Sequence, residues 1–209
     1  GDWSSDVCSS DLIKKLSLAF FIYFIAFTGL TNILIFFLQE SLNWTTKASS
    51  GTLVVVGIIA IIVQGGLIGP LVKKFGEMRL TLIGSGFILV ACSLLITAPK
   101  ENATINIYSA VSFLAVGAGL ITPTLRALIS KKLAVDKQGS ILSNLQGLQS
   151  LGGVLGIAMA GRVYDGFGPK SPFIAGSIIL IFMIYLIAEG KKNNSNYDQN
   201  QKHLNEKTG

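Results

Sequence analysis

The side chains of this sequence that could take part in chemistry are uncharged hydroxyls and amides inside long apolar stretches. Thr28 and Asn32 lie in one such stretch, and Thr122 and Thr124 lie in another. Groups of this kind donate and accept hydrogen bonds but carry no charge near neutral pH. Such groups are costly in hydrocarbon unless they are satisfied, so we predict that the helices carrying them face protein or water and not lipid.

A second group combines amides with small residues. Its members are Gln64, Gln146, Gln149, Gly153 and Gly156. The last four share one face of a helix, because they are spaced by three or four residues. Amides in hydrocarbon need partners, and small residues let a second backbone approach closely. The pattern favours packing against another helix, and ligand binding by Gln146 and Gln149 remains the alternative.

Residue patterns typical of enzymes, metal sites and cofactor sites are missing from the sequence. The single histidine, His203, lies in a polar tail, and no phosphate loop, zinc spacing or nucleophile–base pair is present. We therefore predict no enzyme activity, no metal and no cofactor. Arg126 and Arg162 lie near the ends of apolar stretches, where long side chains can extend to water.

The composition excludes a soluble protein. Among 209 residues, 13% are charged and 50% are hydrophobic, whereas a soluble domain has roughly 25% charged residues. The net charge of +6 therefore does not indicate a nucleic-acid binder. The sequence predicts an all-α integral membrane protein whose surface contacts membrane lipid.

The apolar stretches predict six transmembrane helices. A helix needs about 20 apolar residues to cross the hydrocarbon core, and barrel strands would be shorter and alternate with polar residues. The predicted spans are Leu16–Leu38, Gly51–Val72, Leu80–Ala98, Ile105–Leu128, Gly139–Val163 and Pro172–Ala188.

The distribution of Lys and Arg predicts the orientation. One set of loops and flanks holds Lys14, Lys15, Lys73, Lys74, Arg79, Arg126, Lys131, Lys132, Lys137, Lys191 and Lys192. The opposite set holds only Lys47, Lys100, Arg162 and Lys170. The basic loops are expected to be cytoplasmic. We therefore predict a multi-pass protein of the cell membrane with a cytoplasmic C-terminus, where residues 191–209 form a disordered tail.

Residues 1–12 differ from everything that follows. The stretch GDWSSDVCSSDL is rich in Ser and Asp, has no apolar period and is not a signal peptide. It resembles the translation of a sequencing-library adapter, which would make residues 13–209 a fragment of a longer chain. A natural polar N-terminus is the alternative.

The loop between the second and third spans resembles a known family motif. Its sequence GPLVKKFGEMR, residues 69–79, is similar to the G-x-L-(A/V)-D-(R/K)-x-G-x-(R/K)-(R/K) loop of the major facilitator superfamily, in the degenerate form of the second half of those transporters. The predicted loop residues are Gly69, Lys73, Lys74, Gly76 and Arg79. Lys73 stands where the motif has an acidic residue, which weakens any role of this loop as a charge-relay gate.

Residues 117–173 resemble spans ten and eleven of drug–proton antiporters of that superfamily, most of all tetracycline-type and multidrug exporters. The resemblance over residues 13–190 implies the carboxy-terminal six-helix half of a twelve-span transporter. Spans one and four would line the cavity, where a small molecule would be held through shape and hydrogen bonds by Thr28, Asn32, Thr122 and Thr124. Spans two and five would contact the missing amino-terminal half, and the residues expected at that contact or in the cavity are Gln64, Gln146, Gln149, Gly153 and Gly156. Spans three and six would lie outside. It also implies export of small amphipathic compounds by alternating access, with protons carried by the other half.

Two other functions fit the sequence. A non-transporting six-helix scaffold or regulatory protein would bury its polar residues in protein contacts. A half-size transporter acting as a homodimer would need no missing half, and the adapter-like start argues against it.

Overall fold

The chain forms an all-helical bundle in this computed structural model. The structure describes the backbone of residues 3–99, 103–131 and 135–208, and the side chains of residues 12–99, 103–131 and 138–189. The helices are α1 (Trp3–Leu42), α2 (Thr46–Ile62), a π-helical turn (Val63–Leu67), α3 (Ile68–Phe75), α4 (Glu77–Thr97), α5 (Ala103–Ser130), α6 (Val135–Phe167) and α7 (Ser171–Thr208). The predicted all-α class is confirmed.

Five helical segments within the described residues are long and apolar enough to cross a bilayer. They are Leu12–Leu42, Thr46–Phe75, Glu77–Thr97, Ala103–Ser130 and Ser171–Glu189. Each contains or overlaps one of the predicted spans. The remaining predicted span, 139–163, lies within α6, which is long enough but more polar. The count of six spans therefore stays a prediction.

Short turns with unusual backbone angles separate the helices. Gly76 has φ +77° and links α3 to α4, and Gly168 has φ +92° and links α6 to α7. Residues with a side chain rarely adopt such angles, so glycine is the natural residue at both positions. At the start of α2, Thr45 Oγ1 accepts a hydrogen bond from the backbone N–H of Ala48 at 3.3 Å, which caps the helix.

The helices pack as two groups of three, with α1 at the centre of one and α5 at the centre of the other. α1 packs mainly against α6 and α7, whereas α5 packs mainly against α4 and α2. The two groups meet where α4 contacts α7 and where α1 contacts α5. Both carry fully buried aromatic or aliphatic side chains, such as Tyr23 and Phe37 on α1 and Ile107 and Ile121 on α5. The core of the bundle therefore lies along α1 and α5.

Glycines set the closest helix contacts in both groups. A Cβ atom added to Gly29 of α1 would lie 2.8 Å from the carbonyl oxygen of Gly156 on α6. A Cβ added to Gly84 of α4 would lie 2.9 Å from the carbonyl oxygen of Gly117 on α5. Such distances are too short for any side chain, so these backbones touch directly, as small residues allow in membrane helices.

Two helices extend beyond the predicted spans. α1 begins at Trp3, so the adapter-like residues after Asp2 continue the first helix; their foreign origin stays a prediction. α7 continues to Thr208, where the sequence predicts a disordered tail. The tail contains no proline and, between Gly190 and Gly209, no glycine, so no residue in it ends the helix.

A π-helical turn interrupts the second predicted span. The backbone N–H of Ile68 donates to the carbonyl oxygen of Val63, five residues earlier. The turn contains the pair Gly65–Gly66, whose low helix propensity makes a local departure from α-helix inexpensive. Val63 begins the turn and is buried against α5, where an added Cβ on Gly119 would lie 2.9 Å from Val63 Cγ1.

Large apolar side chains are exposed on several helices, and the longest sets lie on two segments. α7 carries a further set, Ile174, Ile178, Ile181, Phe182 and Tyr185. On α2 and the π turn the exposed side chains are Leu53, Val54, Ile58, Ile61, Ile62 and Leu67. On α6 they are Leu142, Leu151, Val154, Leu155, Ile157 and Met159. These two surfaces are therefore suited to contact lipid or another apolar protein surface.

Candidate functional site

The side chain of Arg126 lies where α1, α5 and α6 meet. Its Nη2 atom donates hydrogen bonds to Gln146 Oε1 at 3.0 Å and to Gln149 Oε1. On the α1 side, the ring centroid of Phe20 lies 5.8 Å from Arg126 Cζ, within cation–π range. One guanidinium thus connects three helices that are distant in sequence.

This arginine differs from the cations near it at the same end of the bundle. Lys15 pairs with Glu189 at 2.9 Å, and Lys131 pairs with Glu77. Among the described residues Arg126 has only the uncharged glutamine oxygens as acceptors, and its Nε atom is buried without a partner. Within the part of the chain that the structure describes, no carboxylate balances the positive charge of this site. Burying a cation without a matching anion is costly.

The expectation that Arg126 extends to water stays a prediction. The side chain is partly exposed, and its Nη2 atom turns toward α6. The physical reason lies in the spacing of α6 and α1. Gly152 packs against the Phe21 carbonyl oxygen, which an added Cβ would approach to 3.0 Å. This close approach brings Gln149, one turn earlier on α6, within reach of the arginine.

The predicted cavity residue Thr122 lies one turn before Arg126 on α5. Its Oγ1 atom is 3.3 Å from the hydroxyl of Tyr23 on α1, and either oxygen can donate the hydrogen. Tyr23 is fully buried and its ring stacks on Phe27 with centroids 5.5 Å apart. The half-buried Thr122 therefore lies at the same α1–α5 contact as Arg126.

Thr28 and Asn32 lie further along α1, on the side facing α6. Asn32 is exposed, and its Nδ2 atom donates to the Thr28 carbonyl oxygen at 2.9 Å. Thr28 is half-buried beside Gly153, whose added Cβ would lie 3.7 Å from Thr28 Oγ1. The structure thus brings Thr28, Asn32 and Gly153 together, and their role in a cavity stays a prediction.

Thr124 differs from this group and corrects the predicted cavity. It is buried between α5 and α4, where its Oγ1 atom lies 2.9 Å from Thr81 Oγ1 and donates to the Leu120 carbonyl oxygen at 2.6 Å. Thr122 and Thr124 are two residues apart, so they point to nearly opposite sides of α5. Thr124 faces the helix contact and not the polar side.

Gly156 also lies in a contact within this chain. An added Cβ would collide with the Ile25 carbonyl oxygen and lie 3.1 Å from the Gly29 backbone nitrogen. The predicted packing role of Gly156 is therefore with α1, and the predicted contact with another half is corrected at this position. Gln64 lies exposed on the π turn, where its Cγ atom would be 3.9 Å from a Cβ added to Gly119 of α5.

The predicted loop residues lie at the junction of α3 and α4. Lys74 Nζ is 5.4 Å from the ring centroid of Phe75, and Gly76 supplies the left-handed backbone of the turn. Gly69, Lys73 and Arg79 are exposed around it. The Glu77–Lys131 ion pair connects this turn to the end of α5. The loop is therefore a basic surface joined to α5 by one ion pair.

Two residues of the site were missed by the sequence predictions. Arg126 is four residues from Thr122, a spacing that places both on one helical face, and this signal was available. Tyr23 had no comparable signal, because its hydroxyl lies in a run of aromatic residues typical of an apolar core. Within the described part of the chain, no group of three or more His, Cys, Asp or Glu residues could hold a metal ion.

Comparison with known proteins identifies the family. The family model of the Major Facilitator Superfamily matches residues 4–157. That range includes residues of the adapter-like start, and their predicted origin remains untested. The resemblance predicted from the loop at residues 69–79 is confirmed.

Several curated relatives carry names of drug-resistance proteins. Multidrug resistance protein 2 of Bacillus subtilis (strain 168) is 24% identical over 205 residues, which cover 92% of this chain and 50% of the relative. The class H tetracycline resistance protein of Pasteurella multocida is 28% identical over 131 residues, covering 63% of this chain and 32% of the relative. The chain spans about half or less of the length of these relatives.

A solved transporter structure shares the fold. The in meso crystal structure of the POT family transporter PepTSo matches with a TM-score of 0.66 and 18% identity, covering 88% of this chain and 38% of that chain. The likeness at this identity concerns the fold alone. Because the family model matches well over half of the residues, the chain belongs to the Major Facilitator Superfamily.

Proposed function

We propose that this chain is the carboxy-terminal six-helix half of a secondary active transporter that exports small amphipathic compounds. Its relatives named for multidrug and tetracycline resistance support export of such compounds. The chain covers 50% of the first of them, which is the share that one half of a twelve-span protein would cover. A substrate, membrane lipid and the missing amino-terminal half are the partners of this proposal.

The observation that carries the proposal is the separation of polar and apolar surfaces. Arg126, Gln146 and Gln149 gather where α1, α5 and α6 meet, and Thr28 and Asn32 continue the polar surface along α1. A cavity for amphipathic compounds needs a few directed polar groups beside apolar walls. An exposed amide such as that of Gln146 would be costly on a helix surrounded by lipid on all sides.

The missing half would cover the exposed apolar surfaces of α2 and α6. Side chains such as Ile61 and Val154 are more than half exposed, at 74% and 69%. Contact with a second helical bundle would bury them, as the resemblance implies for spans two and five. Rocking of the two halves about this seam would then open the cavity to each side of the membrane in turn.

Proton coupling would depend on residues outside this chain. The middles of the six predicted spans contain no Asp, Glu or His, and an intramembrane carboxylate is the usual proton carrier. We therefore place the proton-carrying carboxylates in the other half. The cell membrane, with the C-terminus on the cytoplasmic side, is the proposed location, because the basic loops then face the cytoplasm.

Transport by the longer protein tests the proposal. Fluorescent amphipathic compounds would be added outside inverted membrane vesicles that contain the longer protein. Uptake into the vesicles would be followed with and without a proton gradient. We expect uptake of at least one compound that stops when an uncoupler removes the gradient. Absence of gradient-dependent uptake across the whole panel would contradict the proposal.

Cysteine labelling separates this proposal from a non-transporting scaffold. In a background with Cys8→Ser and Cys92→Ser, single cysteines at Asn32 or Gln146 would face an aqueous cavity and react with a membrane-impermeant maleimide. Thr124→Cys is the matched control, because Thr124 is buried and should stay unreactive. Protection at all three positions in the assembled protein would favour the scaffold.

A further inference from the structure

We propose that Arg126 binds the anionic group of an amphipathic ligand, such as a carboxylate, a sulfonate or a phosphate ester. Gln146 and Gln149 would hold the guanidinium in position while no ligand is bound. The inference rests on the proposed function, because it names the class of compound that this half of the transporter would recognise.

The charge balance of the site is the first support. Lys15 and Lys131 at the same end of the bundle each have a carboxylate partner. Arg126 has only uncharged acceptors among the described residues. An anion adds an opposite charge that the glutamine oxygens lack, and it can form two parallel hydrogen bonds with one guanidinium. An anion entering the site would therefore replace the glutamine oxygens.

The hydrogen-bonding capacity of Arg126 is the second support. A guanidinium has five N–H groups arranged as a fork that matches two oxygens of one anion. The two glutamines use only Nη2, and the buried Nε–H has no acceptor among the side chains and backbone that the structure describes. An anion that bridges Nε and Nη2 would satisfy the group that is now unpaired. Such a ligand would gain both a charge and a missing hydrogen bond.

The apolar surroundings indicate that the ligand is amphipathic. The ring of Phe20 lies beneath the guanidinium at 5.8 Å. Leu142 is 44% exposed and lies one turn before Gln146 on the same face of α6. A small inorganic anion would leave these apolar groups uncovered, whereas an attached apolar group would cover them.

A matched pair of dyes tests the inference. Anilinonaphthalene sulfonate and phenylnaphthylamine have the same aromatic rings and differ by the sulfonate. Their binding to the full chain in nanodiscs of zwitterionic lipid would be measured by fluorescence, with empty nanodiscs subtracted. We expect the chain to bind the sulfonate dye about tenfold more tightly than the neutral dye.

Substitutions of the arginine provide the decisive comparison. Arg126→Gln should remove the preference for the sulfonate dye, and Arg126→Lys should keep part of it, since it keeps the charge but loses the fork. Arg162→Gln is the matched control, because Arg162 is an exposed arginine on α6 and its loss changes the net charge equally. It should leave the preference unchanged. Equal preference in the parent chain and Arg126→Gln would overturn the inference, as would no preference in the parent chain.

Folding of each variant is checked with the buried thiol of Cys92, in a Cys8→Ser background. If Arg126→Gln exposes this thiol to maleimide, that variant is misfolded, and the double variant Gln146→Leu with Gln149→Leu is measured in its place. Removing both internal acceptors should then raise the affinity for the sulfonate dye several-fold, and unchanged affinity would overturn the inference.

The outcome of the dye test is independent of the transport test. Gradient-driven uptake without an Arg126-dependent preference for the sulfonate dye would contradict this inference and leave the proposed function intact.

Discussion

The α4–α5 and α1–α6 contacts are built in the same way but differ in their polar groups. Each contact brings two glycines together, Gly84 with Gly117 and Gly29 with Gly156. In the α4–α5 contact, the hydroxyls of Thr81 and Thr124 are fully enclosed and bond to each other. In the α1–α6 contact, the amides lie at the margin and bond to an arginine that α5 supplies.

The difference in polar groups suits the α4–α5 contact to packing and the α1–α6 contact to the ligand recognition that we propose. A polar pair that is closed on itself within one helix contact has no group left for a ligand, so it contributes to stability. Polar groups at the edge of a contact remain partly exposed, and one of them, Arg126, carries a charge that no described carboxylate balances. Changes at the first contact should therefore affect stability, whereas changes at the second should affect both stability and ligand binding.

The largest effect is expected from a side chain placed in the α1–α6 contact. Gly156→Ala puts a methyl group against the Ile25 carbonyl oxygen, which forces the helices apart. We expect the free energy of unfolding to fall by about 2 kcal/mol. Thermal unfolding in nanodiscs, followed by the reactivity of Cys92 toward maleimide, measures the change.

Gly161→Ala on the same helix is the control for the glycine substitution. No atom of the described residues lies within 4 Å of an added Cβ at Gly161, so stability should change by no more than about 0.5 kcal/mol. Equal destabilisation by both substitutions would show that the contact with α1 is not the cause.

A smaller effect is expected from the enclosed hydroxyl pair. Thr124→Val removes its hydrogen bond to Thr81 and should lower the free energy of unfolding by about 1 kcal/mol, with no change in dye binding. A double-mutant cycle with Thr81→Val measures the coupling. Thr122→Val removes a longer and less buried hydrogen bond and serves as the comparison. Altered dye preference in Thr124→Val would place that residue with the ligand site after all.

The smallest effect is expected from the exposed ion pair. Lys131 is 67% exposed and pairs with Glu77, and such pairs contribute roughly 0.2–1 kcal/mol. Lys131→Gln should therefore change thermal stability only slightly, and the difference should shrink in high salt because the charges are screened. A difference that stayed the same across salt concentrations would point to lost packing instead of lost charge.

Much of the fold could be predicted from the sequence. The apolar runs around Leu16–Leu38 and Ile105–Leu128 are long enough to dictate membrane helices, and the loop at residues 69–79 indicated the family. The polar residues were assigned less accurately. Thr124 was grouped with Thr122 because both lie in one span, although a helix turns by about 100° per residue and directs them apart.

Other features of the site depend on which helices meet. The spacing of Gln149 and Gly156 on α6 correctly placed them on one face, but it could not show that α1 is the partner of that face. Arg126 was interpreted as a residue at the membrane surface because its own helix ends soon after it. The acceptors of Arg126 lie on α6, and the residue pattern of one helix does not show which other helix it contacts.

The π turn at Val63–Leu67 also bears on the basic loop that follows it. A π turn holds one residue more than an α-helical turn, so a change to regular α-helix would rotate α3 by about 100° around its own axis. Lys73 and Lys74 lie in the last turn of α3. They would move to a different side of the bundle, while α2 would keep its position against α5. A single backbone rearrangement, remote from the guanidinium, would thus re-aim two positive charges.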